Sequence, residues 1–552
     1  MVELSRRTLL RAVGFGAGGL AAGGALTACS DNASPAPGDG GADFQLPTYR
    51  AAPALDIKPS FTSDTPGMLP IYTEAVQSYF KSAVRQPGAG GTVTSFQLTW
   101  GDPPKPVDKN PYWAELNQRL GVSFQPQFVP QPVYDEKFST MLASGEVPDL
   151  VFMNDQSAVN LQGIRDGAFL DLSELLAGDK ILRWPNLAAR QEHIWKASLK
   201  DGRIYQVPSL VPPITNFPII RTDLAGQSGV GAAPSDADQL LIMLKDVSAL
   251  GKDSEGRVVY GVNKYEPIMW RRLFKIGADW QLDESGKLVH SIETENFRLM
   301  LEWLAKAWQE GVFDPVAMTT NAADIVSGTG LEWQSHGMFL GAAGMAQKEA
   351  DLPGAKVDFF DLPGFDGTGQ VVVQNIPYGR STCLSHQLGE DESRLHQVLD
   401  VLDYLSAPYG SEENLFVQNG IEGRHYDFDK FGVPVQNTKN VTELGVQYVA
   451  VDSGELSWRG HPSNKPWAES FAKTMESAAQ QSIVRDLEGL ESASETFVRK
   501  GNQLMEQLND FERGVVTGRE SVENLGSFVS GYLSAGGEQI RTEYAKALDE
   551  AK

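Results

Sequence analysis

Cysteine is nearly absent from this chain: 552 residues contain two, Cys29 and Cys383. Two such residues build neither a disulfide framework nor a cysteine-rich metal site. Basic charge is also short, with 47 Lys and Arg against 71 Asp and Glu and a formal net charge of -24. That balance argues against nucleic acid or an anionic membrane surface as partner, and fits neutral or cationic ligands better. Long apolar runs are missing too. The longest candidate, Ala12 to Ala25, is interrupted by Gly14, Gly16, Gly18, Gly19, Gly23 and Gly24, whereas a spanning helix needs about 20 strongly apolar residues. There is no Gly-x-Ser-x-Gly elbow, no His-Glu-x-x-His zinc helix and no Gly-x-x-x-x-Gly-Lys-Ser/Thr phosphate loop. The common hydrolase, zinc-protease and ATPase signatures are therefore excluded.

The first 29 residues carry an address. Arg6, Arg7 and Arg11 precede the weak apolar run, which closes on Leu26-Thr27-Ala28-Cys29. Basic, apolar, then small residues is the layout of a cleavable export signal, and paired arginines point to export of an already folded chain. The segment resembles a bacterial twin-arginine lipoprotein signal, which implies that Cys29 is lipidated and holds the protein at the outer face of the cytoplasmic membrane. Residues 30–43 are small, polar and proline-bearing, with nothing to bury, and read as a flexible tether.

The remaining length supports two folded units, because single cores rarely grow past about 250 to 300 residues. Residues 44–87, rich in proline, read as an extended strap across a domain surface. Thr92 to Trp100 alternates as a strand, Asn110 to Leu120 is helical, Val122 to Val129 is a strand, Tyr134 to Ala143 is helical, and Asp149 to Met153 is a short apolar strand. That rhythm predicts a parallel sheet with helices on its faces, and ligands in such sheets sit at the carboxyl ends of the strands. A second, less regular pattern follows between about 218 and 372. It includes a helix face of Phe297, Met300, Leu301, Leu304, Ala307 and Trp308, and a strand at Gly337 to Gly341. From Trp467 the chain reads as mostly helical, through Phe471 and Met475, Ile483 to Leu487, Phe497 to Leu508 and Val522 to Tyr532.

Two segments carry a family resemblance: Ala143-Ser144-Gly145-Glu146-Val147-Pro148-Asp149-Leu150, and Asn419-Gly420-Ile421-Glu422-Gly423-Arg424-His425-Tyr426. Between them, in matching order, stand Gly167 to Leu172, Asp201 to Pro208 and Arg221 to Leu224. With these segments the chain resembles the family 1 extracellular solute-binding proteins of ABC importers, in particular the large oligosaccharide-binding lipoproteins. The resemblance implies a two-lobe, type II periplasmic-binding-protein-like α/β fold. Each lobe is expected to be a mostly parallel sheet flanked by helices, with extra helices at the C-terminus. Lobe one is expected to span 88–217 plus 373–416, and lobe two 218–372 plus 417–552. The implied function is capture of an oligosaccharide, or another polar solute, in an interlobe cleft by a monomeric receptor, which delivers it to the transmembrane subunits of a permease. Some members of the larger group carry a calcium loop resembling an EF-hand. The matching stretch here, Lys252 to Val259, lacks a carboxylate after Glu255 where later ligands are required, so no metal and no cofactor is expected.

A sugar cleft needs aromatic faces for the pyranose ring and polar groups for its hydroxyls. Trp100 ends the first strand, and Asn154 and Asp155 follow the third, so all three stand at strand carboxyl ends, although Asp155 could equally cap the next helix. Trp270, beside Arg271 and Arg272, and Trp333 are further aromatic candidates, and one of the arginines is expected to pair with an acid of lobe two. Asn375, Tyr378 and Arg380 lie near the expected second crossing, and Glu422 and Tyr426 near the third, while His425 reads as a satisfied structural histidine. The rival classes are a glycan-active hydrolase or lyase and a surface adhesin. The first needs two carboxylates about 5 to 10 Å apart across the scissile bond, and the second predicts no closure of one lobe on the other.

Overall fold

A computed structural model describes residues 44–65, 68–83, 85–99, 103–153, 157–210, 214, 217–319, 330–334, 344–374, 380–445, 457–483, 487 and 490–550. Cys29, its signal and the tether lie outside the described residues. Eight strands build the two main sheets: β1 (Thr92–Thr99), β2 (Ser123–Pro130), β3 (Leu150–Met153), β4 (Gln206–Ser209), β5 (Phe217–Arg221), β6 (Leu331–Gln334), β7 (Val357–Phe359) and β8 (Arg380–Leu384). The principal helices are α1 (Pro111–Leu120), α2 (Tyr134–Ser144), α3 (Ala158–Arg165), α4 (Ala237–Leu250), α5 (Pro267–Leu273), α6 (Glu295–Gln309), α7 (Glu392–Leu405) and α8 (Glu495–Val516).

The first sheet has the order β2-β1-β3-β8-β4. β1 pairs in parallel with β2 and β3, while β8 runs antiparallel to both β3 and β4. Alternation along β1 sends Val93 to one face of the sheet, with Trp113, Leu116 and Phe124, and Phe96 and Leu98 to the other, with Phe138, Val151 and the buried Cys383. Helix α1 starts where the Asn110 side chain accepts the Tyr112 amide and Pro111 occupies the first turn. It stops at Gly121, whose φ of 69° suits glycine, and where a Cβ would lie 2.2 Å from the Gly88 carbonyl oxygen. The five elements from β1 to β3 fall within a residue or two of their sequence-predicted bounds.

The second sheet, β7-β5-β6, pairs antiparallel among its described strands, in contrast to the mostly parallel arrangement expected of it. The reason is directional: β5 leaves the first unit, whereas β6 and β7 run back toward it. Helix α6, capped by Thr294, buries Phe297, Met300, Leu301, Leu304 and Ala307 as its periodicity predicts, and packs with α5 and with Leu504, Leu508 and Phe511 of α8. The strand expected at Gly337 to Gly341 lies outside the described residues. Ser482 and Ile483, expected in a helix, form a short strand parallel to Val373–Gln374.

Residues just beyond 416, expected in lobe two, pack with the first sheet. Ile421 and Leu444 pack into the core of the first unit, and the Asn110 Nδ2 donates to the Glu443 carbonyl at 2.7 Å. Residues 417–445 therefore stay with the first unit. The chain reappears as Trp458–Arg459 beside Ile71–Tyr72, followed by a helix at Lys465–Gln480 whose Phe471 ring stands 5.0 Å from those of Phe217 and Phe359. Residues 44–87 thread along both units. They pair with Gly178 and Ala188 of the first, with Trp458 on the second, and with Gly410 and Glu413 of the first again. No helix among the described residues is long and apolar enough to cross a membrane.

Candidate functional site at the strand-end edge

Strand direction defines the site. β1, β3 and β4 point their carboxyl ends to one edge of the first sheet, and β8 enters from that edge, with Ser381 opposite Met153 and Arg380 opposite Ser209. After Ser209 the chain crosses to β5, so the amino end of β5 and the carboxyl ends of β6 and β7 face the same junction. Carboxyl ends of parallel strands expose unpaired backbone groups and loop side chains, which is where α/β sheets hold ligands.

Arg380 is placed at this edge, partly exposed, as the first residue of β8. Trp333 lies on β6 opposite Pro218, one residue before the strand's junction end. Trp100, Asn154, Asp155, Asn375 and Tyr378 lie outside the described residues. Ser209, Phe217 and Gln334 also occupy the edge and were not singled out from the sequence. Only the strand register, which a single sequence does not display, identifies them.

Trp270 is corrected. Its side chain is fully buried, with ring centroids 5.3 Å from Trp303 and 5.9 Å from Phe313, so no face is left to stack on a sugar. Its neighbour Arg271 pairs with Asp279 at 2.6 Å and reaches buried Glu512, as expected of one arginine in this segment. Burial lowers the Arg272 guanidinium to about 9. Tyr426 is buried on a hairpin, edge-on to Phe428 at 5.4 Å, and Glu422 is exposed on the preceding turn.

His425 is satisfied on both nitrogens: Nδ1 accepts the Ile421 amide at 2.9 Å and Nε2 lies 3.0 Å from Glu443 Oε2. Glu443, which no motif marks, is the hub of this region. Its buried carboxylate also receives Arg424 through two contacts of 2.8 Å and Lys105 at 3.0 Å. Arg424 above all, then Lys105 and His425, hold the Glu443 carboxyl at about 2 against the effect of burial. This cluster ties the Asn419 to Tyr426 segment to the stretch that follows β1, just beyond its carboxyl end.

A groove of about 800 Å³ lies elsewhere, lined by Leu142, Val147, Val159, Ser385, His386 and Val498. Ser385 follows Leu384, which pairs with Leu150 at the start of β3, so this groove is on the amino-end side of the first sheet, opposite the strand-end edge, where Val498 of α8 closes it. Among the described residues, no group of three or more His, Cys, Asp or Glu side chains gathers to hold a metal ion.

This architecture is that of two-lobe solute-binding proteins. The crystal structure of the alginate-binding protein AlgQ2 without calcium ion superposes with a TM-score of 0.64 at 16% identity, covering 85% of this chain and all of that one. In sequence the chain is 25% identical to the lipoprotein LipO of Bacillus subtilis over 472 residues, covering 82% of this chain and 91% of LipO. It is 22% identical to the polygalacturonan/rhamnogalacturonan-binding protein YtcQ of Bacillus subtilis over 491 residues, covering 84% and 94%. No protein-family profile matches the chain. The similarity to LipO, YtcQ and AlgQ2 thus runs over most of the chain's length, well beyond the two short segments that first carried a resemblance.

Proposed function

We propose that this chain is the receptor of an ABC importer, which captures an oligosaccharide at the junction of its two units and delivers it to a membrane permease. The observation that carries the reading is the near full-length relationship to a polygalacturonan/rhamnogalacturonan-binding protein, joined to the fold of an alginate-binding one. The mechanism is hinged capture. One unit binds the glycan in the open state, the units rotate together to bury it, and the closed form docks on the permease, with no covalent step.

In this reading unit one is 88–210 plus 380–445, and unit two is 217–374 plus 457–550. Arg380, with Trp100, Asn154, Asp155, Trp333, Asn375 and Tyr378, lines the junction: the aromatic rings cover pyranose faces, and Arg380 and the amides fix hydroxyls or carboxylates. The net charge of -24 does not bar an acidic glycan, because charges beyond a Debye length of about 8 Å are screened at physiological salt and local groups decide. Export runs through Arg6 and Arg7, and lipid on Cys29 holds a monomeric receptor at the outer face of the membrane.

Calorimetric titration of the chain from Ser30 onward against neutral and acidic oligosaccharides, with product analysis of each mixture, tests the proposal. Saturable binding with intact glycan supports it. Glycan breakdown would instead point to a carboxylate pair and an enzyme, and absence of heat across the panel would reject the oligosaccharide.

A further inference from the structure

AlgQ2 was crystallised in a form without calcium ion, and the stretch of the present chain that resembles an EF-hand-like loop, Lys252 to Val259, follows α4 after Gly251. Its backbone forms a tight turn: the Asp253 amide donates to the Arg257 carbonyl at 2.9 Å, the Gly256 amide donates to the Asp253 carbonyl at 3.0 Å, and Gly256 takes a φ of 81°. Asp253 is fully buried, and both of its carboxylate oxygens are engaged. Oδ1 accepts the amides of Glu255 and Arg257 at 3.0 Å each, while Oδ2 accepts Arg257 Nε at 2.6 Å and Arg221 Nη2 at 3.4 Å.

Calcium requires six to eight oxygens, supplied in an EF-hand by alternate loop positions around a glycine at the sixth. With Gly256 at the sixth position, Asp253 and Glu255 fall at the third and fifth, but the first, ninth and twelfth fall on Gly251, Val259 and Val262, none of which has a side-chain oxygen. The residues present do not fit the ion.

The Arg257 guanidinium takes up the Asp253 carboxylate and also reaches beyond the loop. Arg257 Nη2 donates to the Pro353 carbonyl at 2.9 Å, and Arg221, itself buried, shares Asp253 while clasping Asp223 at 2.6 and 2.7 Å. Asp223 Oδ1 in turn accepts the Lys356 amide at 3.0 Å. The turn after α4, the end of β5 and the segment entering β7 are joined through these two arginines. Burial raises the Asp253 carboxyl, but Arg257 and the two amides outweigh it and hold it below the ordinary carboxylate range.

We propose that the Arg257 guanidinium serves as the built-in cation of this loop, in place of a calcium ion, and that the second unit is consequently indifferent to calcium. The inference concerns the loop alone and holds whatever the solute. The test is thermal unfolding of the full chain in about 1 mM calcium chloride or about 1 mM EDTA, a level at or above the affinity of extracellular calcium modules. The melting temperature is expected to agree within about 1 °C between the two. Arg257→Ala is expected to melt roughly 5 °C lower in both, and Arg257→Lys, which retains the charge without the fork, to lose about half of that.

A rise of several degrees for the unsubstituted protein in calcium, or saturable calcium heat in a titration, would overturn the proposal. So would an Arg257→Ala melting temperature unchanged from the parent. The parent comparison stands even if Arg257→Ala fails to fold.

Discussion

Replacing Glu443 by glutamine keeps the side chain's shape and removes one charge from a site that holds three donors. The carboxylate is 2% exposed and receives Arg424 by two contacts, Lys105 by one and His425 by one, so every lone-pair direction is used. In the variant one oxygen becomes an amide NH₂ facing donors. Breaking a buried ion pair by removing one partner costs about 3 to 5 kcal/mol. Lys105 and Arg424 are 49% and 41% exposed and can rehydrate, which moves the expected loss to about 2–3 kcal/mol.

Denaturant unfolding followed by tryptophan fluorescence at pH 7.5 measures the loss directly. The pH dependence gives an independent check. A carboxyl whose folded value is depressed to about 2, from 4.5, contributes stability that is present above 4.5 and lost as pH falls toward 2. The gap between Glu443→Gln and the parent should be full above pH 4.5 and close progressively below it. As a control, Lys105→Ala removes only a half-exposed partner and should cost less than about 1 kcal/mol. A gap under about 0.5 kcal/mol at pH 7.5, well short of the cost of a broken buried pair, or a gap undiminished near the lower value, would refute the hub assignment.

Trp270→Ala should cost about 3–5 kcal/mol of stability through the cavity it leaves, with any loss of glycan affinity tracking the unfolded fraction; a folded variant with a selectively weakened dissociation constant would return Trp270 to the site. Trp270→Phe should cost less, since the indole Nε1 has no hydrogen-bond partner among the described residues and its removal leaves nothing unpaired. Burial pushes Asp403 up to about 7, while its Oδ1 accepts the amides of Asn186 and Leu187. For this raised carboxyl, stability is fully present below 3.8 and is lost as pH rises toward 7, so Asp403→Asn, which can still accept both amides, should flatten that decline; an unchanged pH–stability profile would count against it. Cys29→Ser should move the protein from the membrane fraction to the soluble one without altering glycan affinity, read by fractionation and titration.

The first unit was legible because its strands alternate and its helices carry their own punctuation. Val93, Phe96 and Leu98 divide between two faces of one strand, and Asn110-Pro111 and Gly121 bracket a helix without any help from tertiary contacts. Trp270 was misread for the opposite reason. An aromatic next to two arginines looks like a sugar platform, yet Met269, Trp270 and Leu273 form a helical apolar stripe, and that spacing was the better guide to burial. The third crossing had no local signal at all. Residues 417–445 are held to the first unit by Glu443, Asn110 and Leu444, contacts between positions more than 300 apart in the case of Asn110 and Glu443, and hydrophobic periodicity reports only what recurs within a few turns.

The same limit governs the site. Arg380 could be nominated from its neighbourhood in the chain, but its place at the junction follows from Ser209 lying opposite it on one side of β8 and Met153 lying opposite Ser381 on the other. Those pairings bring together residues from 153 to 381 at a single edge, and they also explain why β8 must run antiparallel: it returns from the second unit at the edge toward which β1, β3 and β4 run. A chain that crosses between two units at the carboxyl ends of its strands thereby places the loops that can contact a solute where the units meet. Under the proposed function, closure of one unit on the other acts on the bound solute directly, and an Arg380→Ala variant should weaken glycan binding about 10-fold or more, of order 1.4 kcal/mol, while leaving the melting temperature within a few degrees of the parent. Unchanged affinity would separate the strand-end edge from the binding site and leave the fold without its expected use.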